Sequence, residues 1–301
     1  MIQQIFLELT NVCTGRCMTC LNRVMQRPRG IMPRELYNRL IQEIRSVGTT
    51  QAHLYGVGES YTVPDHMDRF RFAIGNLAKS GIAASIITNG NVVTEIPEGI
   101  HAFDISFNAG KPETYEKITG LDFDRTYSNL QRLQKSGEFR KAAKSEIHML
   151  VFERNKDELT DFAHLFAGWD VTLRYGFKYD NQHGLVLDET LPEFRDAQRL
   201  PCHYVLNCLN IYWDGRVVIC PHDFEGEVIY GDLDKQSILE IMSSPLRQQK
   251  IREHLTGIYK GICENCNYNV EFEGKYFAIR GKELTSDSKL WLQGKTLHWA
   301  R

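Results

Sequence analysis

Three thiols within eight residues, Cys13, Cys17 and Cys20, stand in C-x3-C-x2-C spacing and can converge on one small inorganic centre. Cube-type iron–sulfur clusters are held by cysteine thiolates and usually take four. The local supply here stops at three, which leaves one iron open to a substrate or cofactor. Gly15 suits a tight turn between the first two thiols, because it reaches backbone angles closed to side chains. A structural zinc site wants four ligands and usually shows C-x2-C pairs. Disulfides need an oxidising compartment and would leave an odd thiol. Arg16, Arg23, Arg27 and Arg29 form a basic patch around the loop. They could stabilise a negatively charged cluster, but Arg27 and Arg29 read as a solvated loop.

A second thiol group follows residue 200. Cys202-x12-Gly215-x4-Cys220 and the pair Cys263-Glu264-Asn265-Cys266 supply four thiolates. Four can saturate one iron–sulfur cluster or one zinc, and the spacing alone leaves both open. Cys208 is left over. It reads either as a small buried hydrophobe or as a thiol that donates a hydrogen atom to a substrate radical, which would make an epimerase.

The elements that must carry these residues alternate up to about residue 180. Strands are expected at 4–9, 51–56, 83–88, 102–107, 146–152 and 170–175. Helices are expected at 33–47, 66–80, 112–117, 123–137 and 156–167. Pro33 fits the first turn of its helix, and Gly48 and Gly81 stand where helices stop. This alternation predicts an α/β fold with a parallel sheet, a partial (β/α)6 barrel. Parallel barrels place their chemistry at the C-terminal ends of strands, where the cysteine loop lies. The second strand ends in Gly56-Val57-Gly58-Glu59-Ser60, a backbone that a ligand can approach closely, with a carboxylate for an ammonium group. The third ends in Thr88-Asn89-Gly90 and the fourth in Ile105-Ser106-Phe107-Asn108. Their small polar side chains suit a hydroxyl-rich ligand or ordinary turn chemistry. Arg174, ending the sixth strand, is a carboxylate binder or a rim ion pair. Further on, 209–220 reads as a hairpin with a two-residue Asp214-Gly215 turn, followed by a helix at about 235–254. The expected domains are a core at 1–200, a small β-hairpin-plus-helix auxiliary domain at 201–270, and an aromatic-rich extension at 271–301 of unassigned role.

With 301 residues, 42% hydrophobic and 25% charged, the composition is that of an ordinary soluble globular protein. A net charge of −2 gives no electrostatic case for nucleic acid or an anionic membrane. No run of about 18 apolar residues suggests a membrane span, and no signal-peptide pattern is visible. The expected location is therefore cytoplasmic, with the eight cysteines reduced and read as metal ligands.

The loop Cys13-Thr14-Gly15-Arg16-Cys17-Met18-Thr19-Cys20 resembles the signature of the radical S-adenosylmethionine (SAM) superfamily. The resemblance implies that Cys13, Cys17 and Cys20 hold a [4Fe–4S] cluster whose fourth iron is chelated by SAM. Gly58 and Glu59 match the family's G-G-E region for the SAM amino group, with Ser60 in place of the usual proline. Asn89 ends the third strand, and Ser106 and Asn108 match positions that contact the SAM ribose; Arg174 is a further candidate for a cofactor contact. The segment from Pro112 to Gly120 is also similar to the family's. Cys202, Cys220, Cys263 and Cys266 resemble the auxiliary-cluster segment of SPASM-type members. No cysteine follows Cys266, so the likeness is to the abbreviated Twitch version with one auxiliary [4Fe–4S] cluster.

The implied activity is reductive SAM cleavage to a deoxyadenosyl radical that abstracts a substrate hydrogen. Oxidation or epimerisation of a small polyol, amino-sugar or nucleotide-type substrate is expected, with an electron donor such as flavodoxin or ferredoxin. The alternative is a maturase of a ribosomally made peptide. Many of those carry an N-terminal peptide-binding module, and here the expected barrel starts at about residue 4. Two other classes compete: a metal-stabilised binding protein without radical chemistry, and an iron–sulfur electron carrier. SAM cleavage on chemical reduction separates both from the enzyme.

Overall fold

Apolar residues at alternate positions give the strands one face to bury. Ile5 and Leu7, Ala84 and Ile86, Phe103 and Ile105, Ile147 and Met149, and Leu173 and Tyr175 are all buried. They belong to β1 (Gln4–Leu7), β3 (Ala83–Thr88), β4 (Ala102–Ser106), β5 (Lys144–Val151) and β6 (Thr172–Phe177); β2 (Gln51–His53) contributes Ala52. The computed structural model describes residues 2–178, 199–268, 276–284, 288–293 and 296–300. These apolar faces share one core with α1 (Arg34–Ile44), α2 (His66–Ala78), α3 (Pro112–Thr119), α4 (Phe123–Lys135) and α5 (Leu159–Leu165). In α1, Leu36, Tyr37, Leu40, Ile41 and Ile44 are buried, the stripe that a 3.6-residue period produces. Asp122 caps α4 by accepting a bond from Arg125 N at 2.7 Å.

Strands β1 to β6 pair in parallel and in chain order. The arc stays open, because its two edges take other partners. On the far side of β1, β7 (Cys208–Ile211) pairs in parallel and leads to β8 (Arg216–Val218) and β9 (Ile229–Asp232). On the far side of β6, β10 (Tyr276–Arg280) pairs antiparallel. The hairpin expected as a separate small unit thus continues the ten-stranded sheet of the core. The expected boundary at 270/271 lies outside the described residues.

Several expectations are corrected. Strand β2 stops at His53 because the chain folds over β1, and a Cβ on Gly56 would lie 2.6 Å from the Glu8 side chain. Arg174 sits inside β6 and not at its end. The single helix at 235–254 is two: α7 (Ile238–Met242) and α8 (Pro245–Leu255), which follow the one-turn helix α6 (His203–Asn207). Pro245 has no N–H to continue a helix, so it opens α8 instead, behind the Ser244 cap. The hairpin loop has three residues, not two. Tyr212 N donates to Arg216 O, Gly215 N donates to Tyr212 O, and Gly215 takes the left-handed φ of +88°. In the tail, β11 (Lys289–Gln293) and β12 (Thr296–Ala300) form a hairpin tied to α5, where the Thr160 hydroxyl donates to Leu290 O at 2.9 Å. Among the described residues no helix is long and apolar enough to cross a membrane.

The other face of the strands is polar. His53, Ser85, Asp104, His148 and Arg174 stand at positions alternate to the apolar core residues. A barrel interior is normally filled with branched aliphatic side chains. This face is built instead to meet something polar.

Candidate active site

The cysteine loop leaves β1 and is held from two sides. From the end of α3, Thr119 O accepts from Arg16 N and Ile118 O accepts from Met18 N, each at 2.8 Å. Gly15 serves this packing without a left-handed turn; its Cβ position is 3.4 Å from Thr119 O. From the other side, the segment after β2 lies on the start of the loop. Glu59 N donates to Val12 O at 2.8 Å, and a Cβ on Gly58 would lie 2.2 Å from Thr10 O. Only glycine permits that approach.

Burial pushes the Cys13 thiol up to about 11, with Glu59 and Cys20 adding to the rise, and the Cys17 thiol to about 12, with Cys20 and Cys13 adding to it. Burial also raises Cys20, opposed by Asn22 N–H and by the charges of Lys178, Arg23 and Arg29. Three desolvated thiols at the end of a strand are the donor type that an iron–sulfur cluster takes, and coordination would stabilise their thiolates. Glu59 and Asn89 complete the constellation. The buried Glu59 carboxylate accepts from Tyr61 N at 3.2 Å, the Thr88 hydroxyl at 2.9 Å and Asn89 N at 2.8 Å. Burial raises its pKa, with these three bonds pulling the other way. The Asn89 amide donates to Thr14 Oγ1 at 3.0 Å and to Cys13 Sγ at 3.7 Å, joining the Glu59 turn to the first thiol.

Ser106 and Asn108 lie together one strand further on. The Asn108 amide donates to Ser106 Oγ at 2.8 Å, while its carbonyl accepts from Leu150 N at 2.8 Å. Asn108 takes the left-handed φ of 63°, and its side chain ties the chain just beyond β4 to β5. Arg174 pairs with Asp104, and its Nε is 3.3 Å from Glu146. The ion-pair reading of Arg174 therefore describes its place in the sheet.

Arg27 and Arg29 correct the solvated-loop reading. Arg27 is buried, 2.5 Å from Glu8, and its guanidinium lies 3.8 Å above the Tyr212 ring. Arg27 Nε donates to Phe224 O at 2.6 Å, and the Glu225 carboxylate accepts from Arg27 N at 2.9 Å. Arg29 donates to Asn11 O and Asn22 O. No local pattern could show the place of Arg27, because Tyr212, Phe224 and Glu225 are nearly two hundred residues away in sequence.

The four later thiols, Cys202, Cys220, Cys263 and Cys266, line one small cavity with His254 and Tyr268. Burial pushes Cys263 up to about 12, and the neighbouring thiols raise Cys220 beyond its own burial. Arg199 donates to the carbonyls of Cys263 and Glu264 and covers the Tyr259 ring at 3.9 Å. Asp223 braces the turn after Cys220 by accepting from the N–H groups of Gly226, Glu227 and Val228. The donor set and its burial fit one iron–sulfur cluster. Cys208 is not in this wall; it lies in β7, buried, with Sγ 3.8 Å from Gln4 Oε1.

A second cavity, of about 260 Å³, is lined by the paired strands β1 and β7 and by the segment after β2. Tyr204 and His222 line both this cavity and that of the four thiols. The polar residues here, Asn210 and Tyr212, escaped the sequence reading. The available signal was a polar side chain within an otherwise apolar strand, Cys208-Leu209-Asn210-Ile211.

A model of the radical SAM superfamily matches residues 7–166, and a model of the iron–sulfur cluster-binding SPASM domain matches residues 202–267. These domains imply a [4Fe–4S] cluster, SAM and an auxiliary iron–sulfur cluster. Among solved structures, BtrN in complex with AdoMet and 2-DOIA is 18% identical with a TM-score of 0.55, over 93% of this chain and 99% of BtrN. Streptococcus suis SuiB bound to precursor peptide SuiA is 10% identical with a TM-score of 0.66, over 89% of this chain and 70% of SuiB. The anSMEcpe structure with AdoMet and Cp18Cys peptide is 12% identical with a TM-score of 0.59, over 84% of this chain and 83% of that one. One curated relative, an uncharacterised protein of Treponema pallidum (strain Nichols), is 27% identical over 90 residues, 30% of this chain and 24% of the relative's length.

Proposed function

The chain belongs to the radical SAM superfamily, and we propose that it oxidises or epimerises a small polyol, amino-sugar or nucleotide-type substrate. The bound cluster and SAM would supply the 5′-deoxyadenosyl radical that removes a substrate hydrogen. In this reading Cys13, Cys17 and Cys20 hold the first cluster, and the Gly58-Glu59 turn receives the SAM amino group. Asn89 fixes that turn to the loop, and Ser106 and Asn108 stand toward the ribose. Cys202, Cys220, Cys263 and Cys266 hold one auxiliary cluster, the Twitch arrangement. The domain division at 1–200, 201–270 and 271–301 is retained as a functional one, although the sheet is continuous. A cytoplasmic location and a flavodoxin- or ferredoxin-type donor belong to the same proposal.

The observation that carries the small-substrate reading is the 260 Å³ cavity, which shares Tyr204 and His222 with the cavity of the four later thiols. It is at the small end of ligand pockets, which start at roughly 300 Å³, and suits one ring or one side chain. BtrN, bound to AdoMet and 2-DOIA, supports a small substrate. The peptide-bound SuiB and anSMEcpe structures favour a second reading, a peptide maturase. The test is anaerobic reconstitution with iron and sulfide, followed by SAM and dithionite. Formation of 5′-deoxyadenosine is expected; bound zinc, or clusters that never cleave SAM, would favour the binding-protein class.

Cys208 is proposed as a hydrogen-atom donor. Burial pushes its thiol up to about 12, so it keeps the S–H bond that such a donor needs. It stands two residues before Asn210, on the same face of β7. A Cys208→Ala variant is expected to accumulate an oxidised by-product in place of the epimer, read by mass spectrometry. Unchanged products would leave Cys208 as packing.

A further inference from the structure

Asn210 is 3% exposed, and neither its amide nitrogen nor its carbonyl oxygen has a partner among the described residues. Buried polar groups are paired in most proteins, and an exception calls for a ligand or another reason. Asn210 has a direct one, since it lines the 260 Å³ cavity. The β7–β1–β2 register sets Asn210, Phe6 and His53 side by side on one rung. His53 stacks on Phe6 at 4.3 Å, and its Nε2 is also buried without a partner. Tyr212, two residues beyond Asn210, lines the same cavity with an unpartnered hydroxyl.

We propose that Asn210 is the specificity-determining contact for the substrate, and that it selects a neutral, unphosphorylated, hydroxylated ring. This rests on the small-substrate reading above and narrows it. A carboxamide presents a donor and an acceptor side by side, the complement of two adjacent hydroxyls. Phe6, Tyr55 and Tyr204 supply apolar faces for the C–H surface of a ring. Among the described residues no lysine or arginine lines the cavity, and His222 is its one basic side chain, a weak match for a doubly charged phosphate. Its acidic residue, Glu8, is already paired with Arg27 at 2.5 Å, so a cationic ligand gains little from it. Of the three substrate types proposed, this wall favours the polyol over the cationic amino-sugar and the phosphorylated nucleotide.

The test uses the anaerobically reconstituted full chain with SAM bound. Calorimetric titrations with myo-inositol and scyllo-inositol are compared with uridine monophosphate, for wild type, Asn210→Leu and Asn210→Ser. At least one ring should bind wild type, and its affinity should fall tenfold or more in both variants, with SAM affinity unchanged. Asn210→Leu should also raise the melting temperature, because it removes an unpaired buried amide; a merely structural asparagine would lower it. Equal ring binding by the variants, a lowered melting temperature in both, tighter binding of the nucleotide, or no ring binding to wild type would each overturn the proposal. Deoxyadenosine is measured in the same samples. Ring binding without SAM cleavage leaves this assignment standing and removes the radical reaction, whereas SAM cleavage without ring binding does the reverse.

Discussion

Glu59 combines deep burial with charge and has no cationic side chain paired to it among the described residues. Its three hydrogen bonds fix the carboxylate in place but leave the negative charge unneutralised. Burial raises its pKa, so charging it costs the fold, and that cost grows as pH rises through the folded-state value. In the proposed reading the ammonium group of SAM offsets that cost. Hydrogen bonds to charged groups are worth about 1.5–3 kcal/mol, so Glu59→Gln is expected to weaken SAM binding by about tenfold or more. Equilibrium dialysis with labelled SAM measures it. Undiminished affinity would reduce Glu59 to the cap of the short turn Ser60–Thr62.

Within the sheet, the polar face of β4 to β6 depends on Asp104. It accepts from His148 at 2.7 Å and pairs with Arg174. Burial pushes its pKa up, but His148 and Arg174 outweigh burial and hold it below the usual carboxylate range. Its stabilisation is therefore present above the unfolded value of about 3.9 and lost as pH falls through the folded value. Removing one partner of a buried pair costs about 3–5 kcal/mol; with Arg174 partly exposed, Asp104→Asn is expected at the low end. Its acid limb should also be flatter than wild type's in urea unfolding of the cofactor-free chain. Parallel limbs would show that Asp104 does not titrate as described. These strands were legible in the sequence because their outer face alternates so regularly. The same alternation, His53, Ser85, Asp104, His148 and Arg174 against apolar neighbours, also marks a polar lumen. Strands buried on both faces usually read as continuous apolar runs. The thiol sets were visible because metal ligands cluster at short spacing. The split stood in the sequence as well, since Pro245 cannot continue a helix and opens α8 behind Ser244. Arg27 was not visible, since a long-range partner leaves no trace in local composition.

Across the molecule, the pair Glu8–Arg27 joins the first thiol loop to the region of the second. Arg27 follows the loop by seven residues, and its guanidinium reaches Glu8, Tyr212 and Phe224 at once. Arg27→Met strands a buried carboxylate and is expected to cost about 3–5 kcal/mol. Adding Glu8→Gln should recover part of that loss in a double-mutant cycle, and strict additivity of the two changes would deny the coupling. Beyond this joint the thiol sets have separate frames. The first rests on Thr119, Ile118 and Val12; the second rests on Arg199 and the Asp223 turn. Each should therefore assemble its own cluster. After anaerobic reconstitution wild type should hold about eight irons, and the triple variant of Cys13, Cys17 and Cys20 to Ala about four, since each [4Fe–4S] cluster carries four. Cys220→Ala should lose the other four and keep SAM binding. Iron and sulfide analysis with electron paramagnetic resonance of the reduced protein separates the two populations. A wild-type count that stays at four, or a triple variant that loses all its iron, would mean that the two sets do not each build a cluster.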